Sequence, residues 1–430
     1  MSKKIGGVVA LAAMCALSLF LVNCGSSSSR PSGLLYVLTQ GSNGTGNKVS
    51  SFAIDLRSGN LSLINSNAST CNPPGGSCGL PLNIVLDPKG ATAFVLNQGI
   101  PAVPTPPTIY AYTVSSDGSL GKPTSAATLT PGDTAVAMTR DAAGQFLFVI
   151  TEGNQILVPP LAPQLLVFSV SSTTLTQVID KVSTLTRIPT AISPITFPAP
   201  ASGTTPPCGF TTSEEFLYVT SSQDLSPQHN DNTLSVYCVD SSGKLADMTP
   251  NPPYNPQPNP LSVQAVNTNP AGQNSGGVFV YVGSQPTGSG ALSIFQMCTA
   301  VGNAGCTQPD VTNALLKPVG TSPTSVGQNP VAMVVDPTNN FLYVVNEVSS
   351  NVYGFRINTT AGTLTPLNPA NLATGSQPVA MAMHSSGKFL YTSNSGSSNI
   401  SGFTVSTTSG SMSSPITVNA PAAPSGMAAR

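Results

Sequence analysis

The chain has 430 residues, 40% of them hydrophobic and 7% charged, with 15 Lys and Arg against 16 Asp and Glu for a formal net charge of −1. The few cations are scattered without a cluster, which excludes the basic footprint of a nucleic-acid binder. Trp is absent, arguing against a sugar-stacking groove, while 39 Gly and 40 Pro mark a chain rich in turns.

Residues 1–23 read as a targeting segment. Lys3 and Lys4 precede an apolar stretch from Ile5 to Val22, followed by Asn23 and Cys24. This resembles a bacterial lipoprotein signal, in which the Cys takes the lipid and becomes the mature N-terminus. Asn23 departs from the small residue usual there. Gly25 after the Cys resembles lipoproteins forwarded to the outer membrane. Residues 24–33, with Ser26–Ser29, then form a flexible tether. The expected location is therefore the cell envelope, with contact to the membrane through the lipid alone.

From residue 34 onward a two-part signature recurs seven times. Its first half is Tyr36-Val-Leu-Thr39, Phe94-Val-Leu-Asn97, Phe148-Val-Ile-Thr151, Tyr218-Val-Thr-Ser221, Tyr281-Val-Gly-Ser284, Tyr343-Val-Val-Asn346 and Tyr391-Thr-Ser-Asn394. The second half centres on Phe52, Tyr112, Phe168, Tyr237, Phe295, Phe355 and Phe403, with apolar residues two apart, which is strand periodicity. A Gly-x-Leu or Gly-x-Met turn follows in five units, at Gly59, Gly118, Gly243, Gly362 and Gly410, and an apolar run precedes, clearest at Pro330–Val335 and Pro378–Met383. Each unit is thus four strands, and one such sheet cannot bury both faces alone. The chain is predicted to be all-β over 34–430: a seven-bladed β-propeller of four-stranded antiparallel blades. Unit one lacks its first strand, and Pro424–Ala429 resembles the openings of units six and seven, so the C-terminal strand should complete the N-terminal blade. The stretches 98–107, 152–164, 186–213, 222–232 and 248–260 are Pro-rich loops on this scaffold.

Of eight Cys, Cys15 leaves with the signal and Cys24 carries the lipid. The remaining six suit an oxidising compartment, and their spacing favours Cys71–Cys78, Cys208–Cys238 and Cys298–Cys306. No Cys or His lies at metal-ligand spacing, so no metal and no cofactor are expected.

The Tyr-Val-x-Asn repeats, the seven units and above all unit six resemble the lactonase family of seven-bladed propellers, which includes 6-phosphogluconolactonases. Enzymes of that family open one blade with Pro-Arg-His and follow it with Tyr-Val-x-Asn-Glu, the Arg and Glu serving the lactone. Here Pro330, Asn346 and Glu347 match, while the Arg and His slots hold Val331 and Ala332. Pro81-Leu82, Asp133-Thr134 and Pro378-Val379 restore neither the Arg nor the His in the other units.

Two His exist. His384 fills a turn slot held elsewhere by Asp87 and Asp336, and His229 lies between Asp224 and Asp231 in a long loop. Glu152 occupies in unit three the slot that Glu347 occupies in unit six. The expected ligand-facing set is Glu152, Asn346, Glu347 and Asn394 at the ends of the second strands, with Asn97, Thr151 and Ser221 around the same mouth. Glu347 and His229 are the candidates for catalysis. Together these features point to a lipid-anchored, monomeric envelope propeller that binds a small polar ligand or an envelope protein without turning it over. The alternative is a lactone hydrolase centred on Glu347.

Overall fold

The computed structural model describes residues 33–41, 46–71, 78–100, 105–178, 185, 187–197, 214–224, 232–250, 252–268, 277–298, 306–307, 315–320, 323–420 and 423–430. They form seven antiparallel sheets, as the repeats predict, with no helix among the described residues. Blade 6 shows the pattern: Pro330–Val335 innermost, then Phe341–Asn346, Asn351–Ile357 and Leu364–Ala373 at the rim. The innermost strands of successive blades lie side by side around a central channel.

Blade 5 departs from four continuous strands. Its rim strand is split, Leu316–Pro318 pairing with Phe295–Met297 and Thr324–Val326 with Gly290–Leu292, on the same third strand. Blade 1 is discontinuous in sequence. Ala423–Ala429 pairs with Leu34–Gln40 (Tyr36 opposite Ala428, Val37 opposite Met427), and Arg430 and Leu34 exchange backbone hydrogen bonds of 2.9 and 3.1 Å. The Arg430 guanidinium then reaches blade 2, donating from Nη1 to the Gly90 carbonyl at 2.9 Å. The two termini close the ring as expected.

The second strands are buried along nearly their whole length because each lies between two neighbouring blades. Alternate side chains face opposite ways: Phe341, Tyr343 and Val345 pack with Leu390, Phe403 and Met412 of blade 7, while Leu342 and Val344 pack with Phe279, Tyr281 and Leu292 of blade 5. The core is therefore seven clusters wedged between blades.

The aromatic of the signature also acts as a latch. Tyr343 donates from its hydroxyl to the Gly410 carbonyl of the next blade at 2.7 Å, and Tyr36, Tyr281 and Tyr391 do the same to Gly118, Gly362 and Gly59. Glycine is required at the receiving turn for two reasons. Gly410 has φ +76°, and a Cβ there would lie 2.3 Å from the Phe341 ring.

Disulfides Cys71–Cys78 and Cys298–Cys306 form as the spacing predicts. Cys238 is disulfide-bonded too, and its expected partner Cys208 lies outside the described residues, as does Cys24.

Candidate functional site

The second strands run toward one face of the ring, and the innermost strands start there. At that face the residue opening an innermost strand pairs with the last residue of the second: Pro81 with Asn97, Ala135 with Thr151, Pro260 with Ser284, Pro330 with Asn346, Pro378 with Asn394. In each case the register then skips one residue, a β-bulge that leaves a residue unpaired and re-aims its side chain. The extra residues are Leu82, Val136, Leu261, Val331 and Val379, and Thr190 in blade 4, whose innermost strand Arg187–Phe197 lies inside the 186–213 stretch expected to be a loop. The pairing also aligns blade 3 through Ala135-Val136 rather than through Asp133-Thr134. The slot that holds Arg in the lactonase pattern is thus a bulge position at the channel mouth, here Val331. Ala332 returns to the ladder, and Val331 and Ala332 both pack against the cluster between blades 6 and 7.

The structure separates the four residues expected to face a ligand. Asn346 and Asn394 are 0% exposed. Asn346 donates from Nδ2 to Asn351 Oδ1 at 2.9 Å, and Asn394 donates to Asn399 Oδ1 at 2.7 Å and Ser401 Oγ at 2.9 Å. Asn97 and Thr151 are equally buried: Asn97 donates to the Thr70 carbonyl at 2.7 Å, and Thr151 Oγ1 accepts from the Gln164 N–H at 3.2 Å. These side chains brace the turn into the third strand or an adjoining loop and present nothing to the mouth. Each amide nitrogen is committed to a neighbour, while the Asn97 and Asn346 oxygens have no partner among the described residues, so the polar residue type here marks a structural ladder rather than a ligand surface.

Glu347 and Glu152 do stand at the mouth, both partly exposed. The N–H of Glu347 bonds the Asn329 carbonyl at 2.8 Å, and Asn329, held at φ +55°, donates from Nδ2 to Glu347 Oε2 at 3.4 Å. Among the described residues, that amide is the carboxylate's one polar contact. Glu152 sits in a different setting. Burial pushes its carboxyl up, the Thr134 side chain opposes this, and the neighbouring Asp133 adds to it. Asp133 is fully buried and also raised, chiefly by burial, although it accepts hydrogen bonds from the N–H groups of Thr134 (2.7 Å) and Gly153 (2.9 Å). His384 is the turn residue that the repeat predicts, its Nδ1 accepting the Ser386 N–H at 3.1 Å. His229 lies outside the described residues, among which no group of three or more His, Cys, Asp or Glu gathers to hold a metal.

One carboxyl was missed in the sequence. Glu215, at the start of the second strand of blade 4 on the opposite face, is pushed up to about 7 by burial, against a hydrogen bond from Thr196 Oγ1 at 2.6 Å. Nothing in the repeat distinguishes its slot, which holds Val278 and Asn340 in blades 5 and 6.

Below the mouth the channel opens into a cavity of about 550 Å³ walled by the innermost strands of blades 2 to 6, and no Asp, Glu, Lys, Arg or His lines it.

Among curated proteins no sequence matches the chain. Among solved structures, the periplasmic gluconolactonase PpgL of Pseudomonas aeruginosa is similar, with 16% identity and a TM-score of 0.61 over 92% of this chain and 98% of that one. A candidate 6-phosphogluconolactonase of Bacteroides fragilis NCTC 9343 superposes with a TM-score of 0.60 at 13% identity, over 94% and 99%. Residues 307–423, which include blades 6 and 7, match the family described as Lactonase, 7-bladed beta-propeller, and the chain as a whole has the fold of those lactonase-type propellers.

Proposed function

We propose that this protein is a binding propeller of the cell envelope that retains the lactonase scaffold without lactonase chemistry. The observation that carries this reading is the bulge of blade 6, which offers Val331 to the mouth where the lactonase pattern has a guanidinium. Opening a lactone places negative charge first on the carbonyl oxygen and then on the departing ring oxygen, which must take up a proton. Losing one preorganised donor costs about a hundred- to a thousandfold in rate, and losing acid–base help roughly a hundredfold more. Glu347 alone, beside a neutral amide, supplies neither a cation nor a general acid. Purified protein should therefore hydrolyse glucono-δ-lactone and 6-phosphogluconolactone no faster than buffer. Turnover that disappears in Glu347→Gln would overturn this and establish a hydrolase centred on that carboxylate.

The envelope assignment rests on the N-terminal sequence and on two disulfides that suit an oxidising compartment. Leu34 begins its strand at the face opposite the mouth. A lipid on Cys24, ten residues upstream, would hold that face toward the membrane and turn the mouth away, toward soluble ligands or envelope proteins. Cys24→Ser should release the protein from membranes, and continued membrane association would refute the lipid anchor.

A further inference from the structure

The cations of the ring are distributed by face. Among the described residues Lys48 and Arg187 start strands at the mouth, and the other Lys and Arg lie toward the opposite face, where Gly33 leads into the first strand. Carboxylates occur on that face too, but Asp55, Asp87, Asp117 and Asp240 each turn an oxygen onto backbone N–H groups of their own turns, as Asp141 and Asp336 do.

The seam between blades 7 and 1 opens on this face as a cavity of about 980 Å³, lined by Asp55, Leu56 and Arg57 of blade 1 and by Lys388, Phe389 and 404–407 of blade 7. The matching seam between blades 6 and 7 is bridged. There Arg356 lies over the Phe341 ring, 4.6 Å from its centroid, and donates from Nη2 to the Thr408 and Ser409 carbonyls of the next blade at 3.4 Å. The repeat position that holds Arg356 holds Thr404 in blade 7, and its hydroxyl stays in its own blade, bonded to Ser413 at 2.7 Å. The cations of the open seam sit on its two banks instead. Arg57 and Lys388 are exposed, and neither side chain makes a hydrogen bond or ion pair with a described residue. Asp55, the one carboxylate lining the cavity, accepts the Arg57 and Ser58 N–H groups on Oδ1 at 2.8 and 3.3 Å.

This cavity adjoins the root of the tether. The Gly33 carbonyl accepts the Ile54 N–H at 2.9 Å, and a Cβ on Gly33 would lie 2.8 Å from Leu56 Cδ2. The stretch from Cys24 to Gly33 spans about 30 Å at full extension, so a lipid on Cys24 would hold the cavity at the membrane surface. Leu56, 37% exposed, is the one large apolar side chain exposed on a turn of this face among the described residues. An apolar tip beside a cation suits a bilayer surface, where the leucine meets the acyl boundary and the guanidinium meets phosphate oxygens.

We infer that the seam between blades 7 and 1 binds the phosphodiester headgroup of an anionic membrane lipid, with Arg57 and Lys388 as its cations and Leu56 entering the interface. The inference rests on the lipid-anchor reading above and adds a direct contact between ring and membrane. A basic residue at an anionic surface raises partitioning about fivefold, so this pair orients a tethered ring and does not hold an untethered one.

The test mixes the purified protein with vesicles of phosphatidylcholine alone or of equimolar phosphatidylcholine and phosphatidylglycerol, and follows backbone hydrogen–deuterium exchange at 55–59, 387–389 and 404–408. Exchange there should slow severalfold with the anionic vesicles alone. The slowing should disappear at high salt and in Arg57→Gln with Lys388→Gln, a pair of exposed positions safe for folding. It should persist in Lys122→Gln with Lys244→Gln, exposed cations of the same face on blades 2 and 4. Equal slowing with both vesicle types overturns the inference, as does equal loss in the two double variants, which would show a diffuse field rather than a site. Slowing produced by free glycerol phosphate would assign the cavity to a soluble ligand and overturn the lipid. The mass of the N-terminal peptide reports the lipid on Cys24 separately. An unlipidated protein that partitions to anionic vesicles at low salt through Arg57 and Lys388 keeps the cavity and defeats the anchor. A lipidated protein without the vesicle contrast does the reverse, and an unlipidated protein that ignores anionic vesicles defeats both.

Discussion

The two faces of the ring are built differently. On the face opposite the mouth the turns are stereotyped: Asp141 and Asp336 each gather backbone N–H groups of the turn that follows, and Gly410, Gly362, Gly118 and Gly59 receive tyrosine latches. At the mouth the blades diverge. Blade 6 joins its second and third strands through 347–350, whereas blade 3 uses 152–163, closed by paired hydrogen bonds between Asn154 and Leu161. The same slot holds Glu347 beside a neutral amide and Glu152 beside a carboxyl. Repetition thus sets where a side chain sits, and the non-repeated neighbour sets its chemistry. The stereotyped face carries stability, and on the proposed binding reading the divergent face carries recognition.

The largest effect should come from removing the closure. Deleting 423–430 takes away the innermost strand of blade 1 and both ends of its pairing with Leu34, leaving buried backbone groups without partners. The cooperative thermal transition should be lost, and an unchanged melting curve would refute closure by this strand. Next, Gly410→Val on the stereotyped face forces a collision with Phe341 at φ +76°, for about 3 kcal/mol or more. Gly288→Ala at the mouth, at φ +103° with no atom within 4 Å of its Cβ, should cost only about 1 kcal/mol of backbone strain. Equal losses in urea denaturation would erase the contrast between the faces. Tyr343→Phe removes one latch and strands the Gly410 carbonyl, a loss of about 1–2 kcal/mol.

An effect of the same small size as the latch is a pH dependence. The folded-state value of Glu215 is raised to about 7 from 4.5, so between those limits the folded protein holds a proton that the unfolded chain releases. Stability contributed by this group is present below the unfolded value and lost as pH rises through the folded one. Glu215→Gln should flatten that decline, by about 1–2 kcal/mol after allowing for partial exposure. An identical stability slope from pH 4.5 to 7 in the variant would show that the carboxyl stays hydrated.

The fold was readable because blades repeat: Tyr/Phe and Gly recur at matched places since each aromatic must fit the next blade's turn. The closing strand was readable for the same reason, as an opening motif with no blade after it. The bulges were not. Val331 and Ala332 are both small and apolar, and a register skip changes neither composition nor period, so the mouth ring emerged only from the pairing. The asparagines misled for a related reason. A polar residue ending a strand reads as exposed, yet Asn346 and Asn394 are sealed by Asn351 and Asn399, five residues onward across the turn. Glu215 was hidden because its burial comes from tertiary surroundings that its own segment does not encode.

The split origin of blade 1 also has a consequence for biosynthesis. The strand that pairs with Leu34–Gln40, Ala423–Ala429, is separated from it in sequence by the other six blades, so it leaves the ribosome long after its partner. At translation rates of about 5 to 20 residues per second, the stretch between these two strands takes roughly twenty to eighty seconds to synthesise. Throughout that interval one edge of the first blade stands unpaired, open to pairing with another chain. Closure of the ring therefore waits until all seven blades have been synthesised, and a chain truncated before Ala423 carries an exposed first-blade edge.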